Sequence, residues 1–152
     1  MTVIEIPLRW GDMDAYGHIN NVQIVRLMEE ARVIVFGIPS GTGHIDGTNP
    51  APHIDLLAGV EESVMTLIAD HTVSYRRQLP YRGLPVVVEV GVDKVKGASV
   101  EVFYRFYDGD DVAVEATSTM VFVHRTTGRP VRLTPQQRQA LAGSSLSAAK
   151  LR

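Results

Sequence analysis

The chain has 152 residues, 45% hydrophobic and 21% charged, which is the size and composition of one globular domain. Its net charge of −2 provides no basic field that would attract nucleic acid or an acidic membrane surface. The lack of cysteine excludes disulfides, thiol nucleophiles and thiolate zinc sites. There is neither an apolar run of about 18 residues nor a signal peptide, so we expect a soluble cytoplasmic protein.

The first third of the chain is predicted to be a strand, a loop and a helix. Residues Thr2–Arg9 are rich in valine and isoleucine and indicate a strand. The polar stretch Trp10–Asn21 contains two glycines and indicates a loop. A helix capped by Asn20 or Asn21 follows and ends at Gly37. Its apolar side chains recur every three or four residues, which predicts deep packing against a sheet: Ile24, Leu27, Met28, Ala31, Ile34 and Val35.

The second half of the chain is predicted to be mostly strands. Turn signals separate four alternating segments: Val64–Arg76, Val86–Asp93, Ser99–Phe106 and Val112–His124. Because the connections are short, we expect a meandering antiparallel sheet. Thr134 begins a short helix that stops near Gly143. The sequence thus predicts one α+β domain over residues 1–143 and a disordered tail over residues 144–152.

Reactive side chains are densest in the loop before the first helix. They are Asp12, Asp14, Tyr16, His18, Asn20 and Asn21. A helix N-terminus has unpaired N–H groups that polarise a carbonyl, and a carboxylate beside it acts as a general base or a nucleophile. The alternative is that these residues only cap the helix and form turns.

Three segments resemble the hotdog-fold acyl-CoA thioesterases of the 4-hydroxybenzoyl-CoA thioesterase-like family. The first is Arg9–Asn21 together with Glu29–Arg32 in the following helix. The second is Val73–Gly83, with an aromatic residue, an arginine, a proline and a glycine in order. The third is Val121–Val131, which resembles the last strand and hairpin of the family. Together they extend over most of the chain.

The resemblance implies a long helix wrapped by an antiparallel sheet of about five strands. It also implies a homodimer or homotetramer with the active site between subunits, and hydrolysis of an acyl-CoA thioester without a cofactor or metal. Asp14 then matches the catalytic carboxylate, and the backbone N–H near Asn21 matches the donor that polarises the thioester carbonyl. Asp12 is expected to be structural support.

Other residues of the loop are candidates for the same site. His18 is a candidate for orienting water or Asp14, and the alternative is a turn histidine bonded to the backbone. Tyr16 and Asn20 are candidate substrate-binding residues. Trp10 and Tyr16 are large enough to line an acyl pocket, although such groups are more often in a core.

Arginines that could pair with the phosphates of CoA lie around two turns. One cluster is Arg76, Arg77 and Arg82, and the other is Arg125, Arg129 and Arg132. The alternative for both is solvated surface. The long loop Pro39–Gly59 has two His-x-Asp pairs, His44–Asp46 and His53–Asp55, whose spacing is unspecific for metal, and we expect a lid or a plain loop there.

Three other functions remain open for a hotdog domain. The carrier of the acyl group could be acyl carrier protein in place of CoA. A domain that binds acyl-CoA without cleaving it is also possible, although no basic DNA-binding segment accompanies it. A dehydratase is disfavoured, because no aspartate–histidine pair lies on the predicted helix.

Overall fold

The computed structural model describes residues 1–39, 42–43, 46, 48–57 and 59–143. Five strands and two α-helices lie within these residues. The strands are β1 (Thr2–Ile6), β2 (Val64–Tyr75), β3 (Val86–Val95), β4 (Ser99–Asp108) and β5 (Asp111–His124). The helices are α1 (Asn21–Phe36) and α2 (Pro135–Ala142), and a short 3₁₀ turn spans Trp10–Asp12. The expected tail 144–152 and residues 44–45 of the first His-x-Asp pair lie outside the described residues.

The strands form one antiparallel sheet in the order β1-β3-β4-β5-β2. The predicted meander is confirmed for β3, β4 and β5. It is wrong for β2, which pairs with β5 and not with its chain neighbour β3. The connection of ten residues between β2 and β3 crosses the sheet, and pairing β2 with β5 leaves β3 free to pair with β1.

Helix α1 forms where its caps and its apolar stripe predict it. The side-chain oxygen of Asn20 accepts a hydrogen bond from Val22 N–H at 3.0 Å, and Gly37 follows the last turn. Its stripe is buried in the core against one face of the sheet, except for the half-buried Ile34. This helix against a five-stranded sheet confirms the predicted α+β hotdog layout.

One irregularity decides which side chains of β2 face the helix. A bulge between Ile68 and Asp70 shifts the register of β2 against β5. Because side chains alternate along a strand, an extra residue reverses the faces beyond it. Ile68 is opposite Met120 on the core face, and beyond the bulge His71 is opposite Ser118 on that face.

Strand β2 is also an edge of the sheet, because it pairs only with β5 among the described residues. The side of β2 that faces away from β5 is twelve residues long, and Leu67 and Tyr75 on this strand are about half exposed.

Within the described part of the chain, no helix is both long and apolar enough to cross a membrane.

Candidate active site

Backbone hydrogen bonds hold the loop between β1 and α1 together and attach it to the segment that follows β2. Asn20 N–H donates to the carbonyl of Asp12 at 2.9 Å, which joins the two ends of the segment that contains Asp14. Ile19 N–H donates to Leu79 O at 2.7 Å, and Tyr81 N–H donates to Gly17 O at 2.9 Å. The loop is therefore held between the helix and the segment at residues 79–81.

Asp14 uses one carboxylate oxygen to shape the turn that follows it. Its Oδ1 accepts hydrogen bonds from Tyr16 N–H at 2.8 Å and His18 N–H at 3.1 Å. The turn needs Gly17, whose φ of 80° favours glycine. Among the described residues, no donor lies within hydrogen-bond distance of Asp14 Oδ2.

The same hydrogen bonds set the charge of Asp14. The N–H groups of His18 and Tyr16 stabilise the carboxylate and hold the pKa of Asp14 below its ordinary value. Asp14 is therefore ionised at neutral pH, as both a general base and a nucleophile require.

The first turn of α1, which follows this loop, supplies a backbone donor. Asn20 is the cap, and its carbonyl accepts from Gln23 N–H at 2.9 Å. Asn21 is the first helical residue, and its N–H has no acceptor among the described residues. A free N–H at the positive end of a helix is suited to polarising a carbonyl oxygen.

Asp14 and Asn21 line the same cleft. Its volume is about 540 Å³, and it also contains His18, Asn20 and Ile24 from the loop and α1. It is also lined by Arg77 and by residues that the sequence did not single out: Ile19, Tyr75, Gln78, Leu79 and Val114. The cleft therefore combines an ionised carboxylate and a free helix N–H with apolar side chains.

Asp12 has a different environment although it lies only two residues away. Its side chain is 0% exposed and accepts from both Arg9 and Arg26. Burial acts to raise the pKa of Asp12, but the hydrogen bonds from Arg9 and the charge of Arg26 together hold it below its ordinary value. Asp12 is a buried anion that ties together the loop and α1.

The remaining loop candidates divide between the cleft and the surface. His18 is half-buried in the cleft, and its N–H and carbonyl bond to Asp14. Tyr16 is 84% exposed and Trp10 is 76% exposed, so neither belongs to the core of this chain. The core alternative for these two aromatic residues is wrong, since the loop turns them outward.

The family model of the thioesterase-like superfamily matches residues 8–141. The chain belongs to this superfamily. Membership confirms the predicted thioester hydrolase and the family that the three sequence segments resemble. The matched range includes the loop, α1 and the whole sheet except β1. No curated protein matches the chain.

Solved structures of thioesterases share the fold. A predicted thioesterase from Bacillus stearothermophilus is 20% identical, with a TM-score of 0.73 and coverage of 94% of this chain and 95% of that one. DHNA-CoA thioesterase from Staphylococcus aureus is 18% identical, with a TM-score of 0.71 over 99% and 93%. A Thermus thermophilus thioesterase complexed with coenzyme A and Zn is 20% identical, with a TM-score of 0.68 over 93% and 91%.

The arginines of the first predicted cluster form exposed ion pairs, and one of them lines the cleft. Arg77 lines the cleft, whereas Arg76 and Arg82 do not. Each pairs with a carboxylate of the β4–β5 hairpin region: Arg76 with Glu115, Arg77 with Asp111 and Arg82 with Asp108. A phosphate would have to compete with these carboxylates.

The second arginine cluster and the long loop lie away from this cleft. Arg125 donates to the carbonyl of Glu62, and Arg132 lies beside a separate cavity near α2. His53 Nδ1 lies 3.2 Å from Ile34 O, which ties the loop to α1. In the described parts of the chain, no three histidine, aspartate or glutamate side chains gather at a metal-binding distance.

Sequence reasoning did not single out Arg26. Arg26 lies in the second turn of α1, and its side chain reaches Asp12 in the preceding loop. It also missed a polar group under α1, in which Arg32 donates to Tyr104 OH at 3.0 Å and His71 bonds Ser118 at 2.7 Å. No signal existed for that group, because the β2 bulge brings His71 to the core face.

Proposed function

We propose that the protein hydrolyses acyl-CoA thioesters, with Asp14 as the catalytic carboxylate. The observation that supports this proposal is that the two carboxylate oxygens of Asp14 have different hydrogen bonds. Oδ1 is fixed by two backbone N–H groups, whereas Oδ2 has no donor in the described chain and belongs to a residue lining the cleft. A carboxylate that is ionised, and that is held in place through one oxygen, is suited to react through its other oxygen.

Asn21 N–H supplies the second chemical requirement of this reaction. When the thioester carbonyl is attacked, its oxygen gains negative charge, and a fixed N–H at a helix start stabilises that charge. Asn21 lines the cleft with Asp14, and its N–H has no competing acceptor among the described residues. The thioester is already activated, so no cofactor is required.

Asp14 can promote the hydrolysis by two routes, as a general base or as a nucleophile, and protons and bonds are accounted for in both. As a general base, Asp14 takes a proton from water while the hydroxide adds to the carbonyl, and the departing CoA thiolate receives that proton. As a nucleophile, Oδ2 attacks the carbonyl and expels the thiolate, and water then cleaves the mixed anhydride. Both routes yield a free acid and CoA, and both need Asp14 ionised.

CoA as the carrier is supported by the relatives and by the cleft. One structure with this fold is complexed with coenzyme A, and another is a DHNA-CoA thioesterase. Arg77 lies in the cleft lining, and Arg76 and Arg82 lie nearby on exposed chain. Guanidinium groups pair with phosphate through charge-assisted hydrogen bonds, so these arginines are suited to the nucleotide end of CoA.

The same proposal includes a homodimer as the smallest active form. An edge of twelve residues leaves a row of backbone groups that a second strand can pair with, and β2 presents such an edge. Tyr75 lies at the end of β2, lines the cleft and is 52% exposed. A second copy paired along β2 would therefore lie close to Tyr75 and so to the cleft.

A substrate panel tests the activity. Acyl-CoA thioesters of short, long and aromatic acids are offered to the protein, and the released thiol is detected. The same acyl groups on acyl carrier protein form a parallel arm. Turnover of at least one acyl-CoA is expected, whereas turnover of the carrier-protein thioesters alone would favour that carrier.

Binding is measured alongside turnover, because a domain that binds acyl-CoA without cleaving it would bind and release no thiol. Light scattering tests the assembly in the same samples. We expect a dimer or a dimer of dimers, and a fully active monomer would contradict the assembly proposal.

A further inference from the structure

Arg26 is the most constrained charged side chain of α1, although it lies outside the cleft. Its Nη2 donates to both oxygens of Asp12, at 3.0 and 3.1 Å. Its Nε donates to Gln23 Oε1 at 2.7 Å, and Glu30 lies 3.7 Å from Nη1. Because the guanidinium of Arg26 bonds both to Asp12 and to neighbouring residues of α1, it fixes the position of α1 relative to Asp12.

Asp12 in turn holds the loop before α1 in place. Its carboxylate accepts from Arg9 N–H at 2.7 Å, and its carbonyl accepts from Asn20 N–H at 2.9 Å. Asp12 and Asn20 are the two ends of the segment that carries Asp14. The carboxylate is fully buried in a loop whose neighbouring side chains are largely exposed, which is the burial pattern of a structural anchor.

We propose that Arg26 is a positioning residue for the hydrolysis, acting through Asp12. Arg26 sets the loop against the first turn of α1, so that Asp14 Oδ2 and Asn21 N–H meet the same thioester. Arg26 does not line the cleft, so a direct contact with substrate is not needed for this role. This inference rests on the proposed function.

The physical reason is the sensitivity of catalysis to small displacements. Two groups that must act on one carbonyl lie on different elements, a loop and a helix. A misplacement of about 1 Å in such an arrangement costs on the order of 100-fold in rate. Removing Arg26 leaves the Asp12 carboxylate with Arg9 alone, so the direct bonds from this carboxylate to a side chain of α1 are lost. What remains is the long bond from Arg9 to Gln23 at 3.5 Å and the backbone bond from Asn20.

The kinetic test compares Arg26→Met with the surface change Lys96→Met, because Lys96 is exposed and does not line the cleft. In Arg26→Met, kcat is expected to fall about 10- to 100-fold while KM stays within about threefold, because substrate contacts are unchanged. Arg26→Lys keeps a charge but loses the fork geometry, and it should recover part of the rate. Lys96→Met should match the wild type. A wild-type kcat in folded Arg26→Met, or a raised KM with unchanged kcat, would overturn the proposal.

The double variant separates positioning through Asp12 from an independent role. Asp12→Asn combined with Arg26→Met should lose no more activity than Asp12→Asn alone, because both changes break one link. Losses that multiply would overturn the route through Asp12. Urea unfolding of each variant shows that activity is compared among folded proteins, and Arg26→Gln replaces Arg26→Met should the latter not fold.

Amide hydrogen exchange tests the positioning without any substrate. The N–H groups of Tyr16 and His18 bond Asp14 Oδ1, so loosening the loop should speed their exchange in Arg26→Met but not in Lys96→Met. Unchanged exchange at both amides would overturn the proposal. A wild-type protein that cleaves no thioester would refute the proposed function instead, and the exchange data would then decide the role of Arg26 by themselves.

Discussion

Two aspartates separated by one residue occupy opposite environments in this protein. Asp12 is buried, with both oxygens bonded by Arg9 and Arg26. Asp14 is half-buried at the cleft, with one oxygen bonded by backbone N–H groups and the other without a donor in the described chain. The pKa of each lies below its ordinary value, so both are ionised at neutral pH.

The comparison teaches that ionisation alone does not distinguish a reactive carboxylate from a structural one. The difference lies in the donors and in access. Both oxygens of Asp12 are bonded, whereas Asp14 has one without a donor in the described chain. Asn21, whose N–H has no acceptor among the described residues, lines the same cleft as Asp14. Substitutions at the two positions should therefore separate activity from stability.

The largest effect is expected for Asp14→Asn. The amide oxygen can still accept from Tyr16 and His18, so the fold should be kept, but a neutral amide is neither a base nor a nucleophile. Turnover should fall on the order of 1,000-fold, within the range for loss of a general acid or base. Steady-state kinetics on the acyl-CoA that the wild type hydrolyses fastest measures this. Near-normal turnover would contradict the assignment of Asp14 as the catalytic carboxylate.

Asp12→Asn should reverse that pattern. It removes a buried charge and leaves the guanidinium groups of Arg9 and Arg26 without their anion, which costs about 3 kcal/mol of unfolding free energy. For a domain of this size, Tm should fall by roughly 6–12 °C. Activity should fall less than in Asp14→Asn. A variant as stable as the wild type in thermal unfolding would contradict the anchor role.

The stability conferred by Asp12 should depend on pH in one direction. Because its pKa is lower in the folded protein than in the unfolded chain, where a carboxyl titrates near about 3.9, the ion pair contributes fully above that value. The contribution is lost as pH falls through the folded pKa. Urea unfolding should therefore give a difference between wild type and Asp12→Asn that is constant from about pH 7 to 5 and shrinks below about 4. A difference that shrinks already between pH 7 and 5 would point to another group.

The smallest effect is expected for the exposed arginines, which extend the comparison from carboxylates to guanidinium groups. Arg76, Arg77 and Arg82 form exposed ion pairs, and such pairs contribute only about 0–1 kcal/mol to stability. Replacing all three by alanine should leave Tm and kcat nearly unchanged. KM for an acyl-CoA should rise by about tenfold or less if they hold phosphate, and added salt should reduce the difference.

The control is the same acyl group on a short thiol that lacks the nucleotide. The triple variant should match the wild type on this substrate. An equal loss on both substrates would show that the arginines act through folding or assembly, and their phosphate role should then be dropped.

The sequence by itself determined most of the helices and strands and which loop carries the candidate site. The stripe from Ile24 to Val35, with its Asn20 cap, predicted α1 because these are local properties of a helix. The motif around Asp14 located the cleft residues of the loop, and Thr134 with Gln137 predicted the start of α2 through their mutual capping bonds. Chain neighbours within a few residues decide all of these features.

Tertiary structure decided the pairing of β2 and the separate environments of the two aspartates. Local sequence gives β2 equal reason to pair with β3 or with β5, and only the packed sheet selects β5. Likewise, Asp12 and Asp14 are the same residue type in the same loop. Arg26 reaches Asp12 only once α1 has docked beside the loop, and Leu79 comes beside the loop only once the sheet has formed. Hydrogen bonds and burial at these distances depend on residues far apart in the chain, which is why the sequence alone could not predict them.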